Sequence, residues 1–268
     1  MYINDIVNVS DLLFPILFAD DTNALAKGKD LNQLVNSVNE ELEKIRNWLA
    51  SNKLSLNIKK THFMVFASKG KKVKDPLEIK IENETIVKVN HTKFLGIIID
   101  DKLNWSYHIS SVKRKIAKGI GIIRKAKRLL NEKTLVTLYY SFIYPYLHYG
   151  IISWGYTTNN YLDPLIKIQK RAIRMISSAS WDAHSDPLLK KLYLLNLKNI
   201  YVLNVMLFMY KFKKGLLPSL FDTMFVLNTE THGHFTRQYN CYHSPVWRLE
   251  VRRRTIPAQG PYFCNLII

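Results

Sequence analysis

The hydrophobic period of this chain changes near Trp105, and that change limits what the chain can fold into. From Ser106 onward Ile109, Val112, Ile116, Ile120, Ile123 and Leu130 recur at helical spacing, while Arg114, Lys118, Lys125 and Arg128 fall on the opposite face at the same period. Such a segment buries one stripe and leaves the other to solvent or to a polyanion. Asn131 stands where it can cap a further helix through Leu135, Leu138 and Phe142, which Pro145 kinks or ends. Residues 161–177 and 187–213 read as two more helices. From Thr229 the pattern dissolves into what reads as loops and short strands, with Arg252, Arg253 and Arg254 as a basic run.

Before Trp105 the apolar runs are shorter. Two of them flank Asp20, Asp21, Thr22 and Asn23 within residues 12–26, and polar turn formers between apolar runs suggest a β-hairpin. Asp30 with Gln33 makes a capping box, and Leu31, Leu34, Val35, Val38, Leu42, Ile45 and Leu49 continue it as a helix to about Ser51. Residues 62–67 form a β-like run, residues 77–89 alternate around Asn83 as a second hairpin, and residues 92–99 read as an apolar strand ended by Asp100 and Asp101. The expected class is α+β: strands and one helix first, helices afterwards.

Composition narrows the partners. With 47% hydrophobic and 22% charged residues the chain has the balance of a folded protein, not a disordered one. Its formal net charge of +18 attracts polyanions, nucleic acid first and a membrane surface as the rival. The longest apolar stretches, residues 12–19 and 201–210, are too short or too interrupted to cross a bilayer. Asn4 and Asp5 stand where a secretory signal would carry positive charge. Cys241 and Cys264 alone make no disulfide scaffold, which points to a reducing compartment.

The sharpest chemical feature is Phe18-Ala19-Asp20-Asp21-Thr22. A tight hairpin pushes adjacent carboxylates out of a sheet, where they suit hard cations such as Mg²⁺. Phosphoryl transfer to a growing strand uses two such ions held close together. Asp-Asp is also ordinary turn chemistry, and Asp100-Asp101 follows an apolar strand in the same chain, so the pair alone leaves both readings open. His232, His234, Cys241 and His243 raise zinc, but their spacing does not match the common Cys/His finger patterns. Scattered polar residues in a loose tail are the simpler account.

Further motifs follow in order. Tyr2-Ile3-Asn4-Asp5 precedes Leu17 to Thr22 by a short gap; then come Leu54-Ser55-Leu56-Asn57 with Lys60-Thr61 and Met64-Val65-Phe66, and Lys93-Phe94-Leu95-Gly96 with Asp100, Leu103, Trp105 and His108. Tyr144-Pro145-Tyr146-Leu147, Tyr149-Gly150, Trp154-Gly155 and Gln169-Lys170-Arg171-Ala172-Ile173-Arg174 come later. Together they resemble the reverse transcriptases of non-LTR (LINE-type) retrotransposons, with the jockey-like elements of animals nearest. The resemblance covers nearly the whole chain.

The resemblance implies a partial polymerase palm over residues 1–105, a helical thumb-like region over 106–180 and a C-terminal extension over 181–268. It implies an RNA-directed DNA polymerase, a nucleotidyltransferase, working with Mg²⁺ on an RNA template, a DNA primer or target and deoxynucleotides. No membrane partner is implied, and the setting would be a retroelement ribonucleoprotein of cytoplasm and nucleus. Asp20 would be the catalytic, metal-binding carboxylate and Asp21 its less essential neighbour. Lys60 would sit near the incoming nucleotide's phosphates, as a charge clamp or an acid for the leaving group. Phe94, Leu95 and Gly96 would form the primer-grip turn, although Phe94 and Leu95 also suit an ordinary buried strand. Arg114, Lys118, Lys125 and Arg128 would bind nucleic acid, or form a merely solvated face.

This sequence also departs from the family. The first catalytic Asp of an upstream palm strand, the fingers, the N-terminal endonuclease and the template-contacting motif, apart from its tail at residues 2–5, are not in it, and Cys264 stands where Trp is usual. Met1 reads as an internal methionine of a longer frame. The expectation is a fragment that is inactive by itself. The alternatives are a non-catalytic nucleic-acid-binding remnant and an untranslated pseudogene product.

Overall fold

The computed structural model describes residues 3–67, 77–82, 84–231, 233 and 237–266. They form a mixed α and β chain divided into two compact units, residues 1–92 and 93–268.

The first unit carries the short strands. A 3₁₀ turn at Asn4–Asn8 buries Ile6 and leads to the antiparallel pair β1 (Phe14–Phe18) and β2 (Asp21–Leu25), in register from Phe14 opposite Leu25 to Phe18 opposite Asp21. Helix α1 (Leu31–Ser51) starts where the Asp30 carboxylate accepts the Gln33 backbone N–H at 2.9 Å, the N-cap half of the anticipated capping box. Its Val35, Val38 and Leu42 pack on Ile79, Ile81 and Ile86, so the main partner of α1 is the hairpin of β4 (Lys80–Ile81) and β5 (Glu84–Thr85). Asn39 fixes that contact from the helix side. Its amide donates to the Glu78 carbonyl and its oxygen accepts the Lys80 N–H, both at 3.0 Å. The β-like run at residues 62–67 contracts to β3 (His62–Phe63), which pairs in parallel with β6 (Val87–Lys88). A strand extends only as far as its partner, and β6 offers two residues.

The second unit opens inside a hairpin, β7 (His91–Phe94) and β8 (Ile97–Asp100). The single strand expected over residues 92–99 folds back on itself at Leu95 and Gly96. Helices follow: α2 (Ser106–Ala126), α3 (Glu132–Phe142), α4 (Tyr144–His148), α5 (Ile151–Trp154) and α6 (Asn159–Ile176). Their core holds Ile116, Ile123, Tyr139, Leu147, Trp154, Leu165 and Ile173. Ile109, Val112, Ile116, Ile120 and Ile123 of the expected stripe face into it, whereas Leu130 lies past the end of α2 and is exposed. Asn131 caps α3 by accepting the Thr134 N–H at 2.9 Å, and Pro145 sits in the first turn of α4, where its missing N–H leaves no gap.

The expected helix over residues 187–213 is two helices, α7 (Ser185–Lys191) and α8 (Leu197–Lys213). Between them Tyr193 takes a left-handed φ of 54°, and the Asn196 side chain caps α8 through the Asn199 N–H. Buried Gln169 explains the bend. Its amide nitrogen donates to the Tyr139 hydroxyl at 2.8 Å and the Leu195 carbonyl at 3.0 Å, and its oxygen accepts the Leu197 N–H at 2.9 Å. All its capacity toward α3 and α8 is thereby satisfied, as a buried amide requires.

The C-terminal stretch is also more helical than its composition suggests. It holds α9 (Asn228–Thr231), α10 (Glu250–Arg253) and α11 (Ile256–Asn265). Helix α11 packs on α8, with Pro257 in its first turn, where helices tolerate proline. Among the described residues no helix is long and apolar enough to cross a membrane.

Candidate functional site

Two residues, Ala19 and Asp20, connect β1 to β2. Ala19 has φ of 52°, and Asp20 does not share the positive φ. Positive φ at the first loop position is the demand of a II′ connection, usually met by glycine. The alanine therefore holds a strained backbone at the tip of the hairpin. Asp20 and Asp21 are exposed, and neither side chain has a hydrogen bond or ion pair among the described residues. Phe14, Phe18 and Leu25 on the same ribbon are exposed as well.

Lys60 closes a 3₁₀ turn, Ile58–Lys60, in which the Asn57 side chain accepts the Lys60 backbone N–H at 3.2 Å. The Lys60 side chain is exposed. Ser55, Leu56, Asn57, Ile58 and Lys59 line an open groove with Glu84. No hydrogen bond or ion pair among the described residues joins Lys60 to the Asp hairpin.

The Leu95–Gly96 turn is anchored in a way that no local signal shows. Both residues have positive φ, 45° and 86°, as a two-residue I′ turn requires. Phe94 and Leu95 are half-buried and Gly96 is exposed. The Tyr149 hydroxyl donates to the Leu95 carbonyl at 2.6 Å, and the Tyr149 carbonyl accepts the indole N–H of fully buried Trp154 at 3.0 Å. Gly150 has φ of 60° and lies so close to Ile97 that a side chain would collide with it.

Two further polar residues brace this hairpin. Asp100 is 1% exposed, and its carboxylate accepts the backbone N–H groups of Lys102, Asn104 and Trp105 at 3.2, 3.0 and 2.7 Å. It thus organises the loop into α2, a structural duty unlike the exposed pair at Asp20. His108 accepts the Ile98 N–H on Nδ1 at 3.2 Å, and its ring tilts against Trp154 with centroids 5.3 Å apart. Burial, helped by nearby Lys115, pushes its pKa down to about 4. The imidazole is therefore neutral near pH 7, with the proton on Nε2, which has no partner among the described residues.

Arg114, Lys118, Lys125 and Arg128 are all exposed, and Ile116, Ile120 and Ile123 are buried on the other side of the same segment. Helix α2 contains no carboxylate, so every charge on its outer face is cationic, with Tyr107, Ala117 and Ile122 exposed among them.

Mg²⁺ wants several oxygen ligands in near-octahedral geometry. Asp20 and Asp21 are ligands of the right class, but among the described residues no group of three His, Cys, Asp or Glu converges anywhere. The donors present fit one side of a metal site only, and no reaction step is assigned through them. Of the four residues that raised zinc, His232 and His234 lie outside the described residues. Cys241 is buried, and His243 meets Asn228 at 3.2 Å.

No family model and no solved structure matches the chain. Curated proteins do. The chain is 26% identical over 168 residues to the RNA-directed DNA polymerase from mobile element jockey of Drosophila melanogaster, which is 61% of this chain and 18% of that protein. It is 22% identical over 181 residues to the probable RNA-directed DNA polymerase from transposon X-element of the same fly, 66% of this chain and 20% of the relative. A Pol polyprotein from type-1 retrotransposable element R1 2 of Nasonia vitripennis is 28% identical over 120 residues, 43% of this chain and 28% of that protein. The chain thus spans less than a third of the length of the curated relatives it matches. Over about three fifths of its length, this chain is similar to a stretch of the RNA-directed DNA polymerases of jockey-like and other non-LTR retrotransposons.

Proposed function

We propose that this chain is a piece of a retrotransposon RNA-directed DNA polymerase, comprising the catalytic hairpin of a palm, a primer-grip turn and a helical thumb. The observation that carries the reading is the hairpin at Ala19 and Asp20. It is a strained two-residue connection that presents two unbonded carboxylates to solvent, in a chain similar to jockey polymerases. In this reading Asp20 contributes to Mg²⁺ binding, Asp21 is its lesser neighbour, and Lys60 meets nucleotide phosphate. The Leu95–Gly96 turn holds the primer end. The face formed by Arg114, Lys118 and Lys125 of α2, with Arg128 just past its end, meets the phosphates of the RNA template and DNA primer. A second reading, a nucleic-acid binder without chemistry, is favoured by the lack of a third converging ligand among the described residues.

The shared part of both readings is tested by binding. Filter titration of the full chain against an RNA–DNA hybrid should show affinity falling steeply with salt. Replacing the four cationic residues by Gln should make the logarithmic salt slope shallower by up to about 0.9 per lost contact on B-form DNA and a comparable amount on the hybrid. An unchanged slope means that the face is merely solvated.

A further inference from the structure

Helix α2 carries two glycines, and packing explains only one. A Cβ at Gly119 would lie 2.7 Å from the Phe142 carbonyl oxygen and 3.0 Å from Ile143, so the close approach of the end of α3 requires glycine there. A Cβ at Gly121 would meet nothing within 4 Å. Glycine inside a helix is less favourable than alanine, because its backbone loses more freedom on folding. At Gly121 the fold accepts that loss and gains no contact in return.

Gly121 borders a groove of about 120 Å³ between α2 and α6, lined also by Ala117, Ile120, Arg124, Ile168 and Arg171. At roughly 30 Å³ per water molecule the groove has room for a phosphate group. Arg124 and Arg171 are exposed, and neither has a hydrogen bond or ion pair among the described residues. Two guanidinium groups at one groove repel each other unless an anion lies between them. Gly121 also falls in the cationic line of α2, three residues after Lys118 and four before Lys125, so a strand following that line passes directly over it.

We propose that this groove seats a backbone phosphate of a nucleic-acid strand, with Arg124 and Arg171 as its cationic walls and Gly121 as the point where the strand comes against the helix backbone. The proposal rests on the nucleic-acid reading of α2 and adds a specific seat to it. It also explains the glycine: a methyl group there leaves the fold intact and obstructs the strand.

The test compares full-length wild type, Gly121→Ala and the pair Arg124→Gln/Arg171→Gln. Two measurements are made, thermal unfolding and fluorescence anisotropy with a fluorescein-labelled DNA duplex across a salt series. Gly121→Ala should raise the unfolding midpoint by about 2–4 °C and yet weaken duplex binding several-fold. A packing role cannot produce that opposite pair of signs. The arginine pair should make the salt slope shallower by about 0.9 per lost phosphate contact. A stabilised Gly121→Ala that binds like wild type overturns the seat and leaves the rest of the α2 face standing. A lowered midpoint shows that Gly121 serves packing and also overturns it. If inorganic phosphate stabilises wild type through the two arginines while duplex affinity ignores Gly121→Ala, the groove takes small anions and the strand seat is wrong. Wild type that does not bind the duplex at all overturns the nucleic-acid reading itself.

Discussion

The hydroxyl of Tyr149 donates to the carbonyl of Leu95 at 2.6 Å, joining two motifs that lie 54 residues apart in the chain. Leu95 has left-handed φ, a conformation that a β-containing side chain adopts only under constraint, and the tyrosine supplies part of that constraint. Tyr149→Phe keeps the ring and removes one hydrogen bond. It should lower stability by about 0.5–1.5 kcal/mol in urea unfolding and speed amide exchange across β7 and β8. Exchange there that matches wild type would show that the turn holds itself.

The two Asp pairs should behave oppositely. Asp20 is exposed and unbonded, so Asp20→Ala should change stability by no more than about 0.5 kcal/mol. Asp100 is buried and holds three backbone N–H groups, which Asp100→Ala would leave without partners. A loss of about 2–4 kcal/mol is expected from that substitution. Equal effects of the two in parallel urea titrations would contradict the division of roles.

Acid should loosen the second unit through His108. Its folded pKa, about 4, lies below its ordinary value of 6.5. Between those values the unfolded chain binds a proton that the folded chain refuses, so stability rises with pH across this window. His108 thus imposes no penalty above about pH 6.5 and destabilises increasingly as pH falls toward 4, with a slope of up to about 1.4 kcal/mol per pH unit. A His108→Gln variant, which can still accept the Ile98 N–H, should show a flatter profile over that range. An identical slope in both proteins would place the acid sensitivity elsewhere.

This polypeptide alone should not extend a primer. Two-metal transfer needs carboxylates converging from separate strands, whereas the exposed pair Asp20 and Asp21 comes from one hairpin, and no group of three candidate ligands converges among the described residues. Asp100 is committed to three backbone N–H groups and cannot stand in. The measurement is extension of a DNA primer on an RNA template with Mg²⁺ or Mn²⁺, run beside Asp20→Ala. Extension that vanishes in the variant would show that this chain completes a two-metal site by itself.

Features set within a few residues were readable in advance. The cap of α1 at Asp30, the cap of α3 at Asn131 and the two faces of α2 follow from side-chain reach and helical period. The Asp hairpin follows from polar turn formers between apolar runs. The errors came where local pattern was ambiguous. An apolar run over residues 92–99 suits one strand or a folded pair, and its period cannot choose between them. Prolines and a glycine near the C-terminus argue against a helix, yet α11 forms because α8 offers a face on which to bury it.

What the amino-acid sequence determined by itself was the α+β class, the exposed carboxylates at Asp20 and Asp21, and a cationic outer face on α2. Tertiary structure alone decided that Asp100 is a buried brace, that Tyr149 anchors the turn at Leu95, and that Gln169 divides α7 from α8. It also decided which glycine of α2 packing needs and which it does not. The physical reason is range. Caps and faces depend on neighbours three or four residues away, whereas a buried polar group depends on whatever partner the rest of the fold brings within hydrogen-bonding distance.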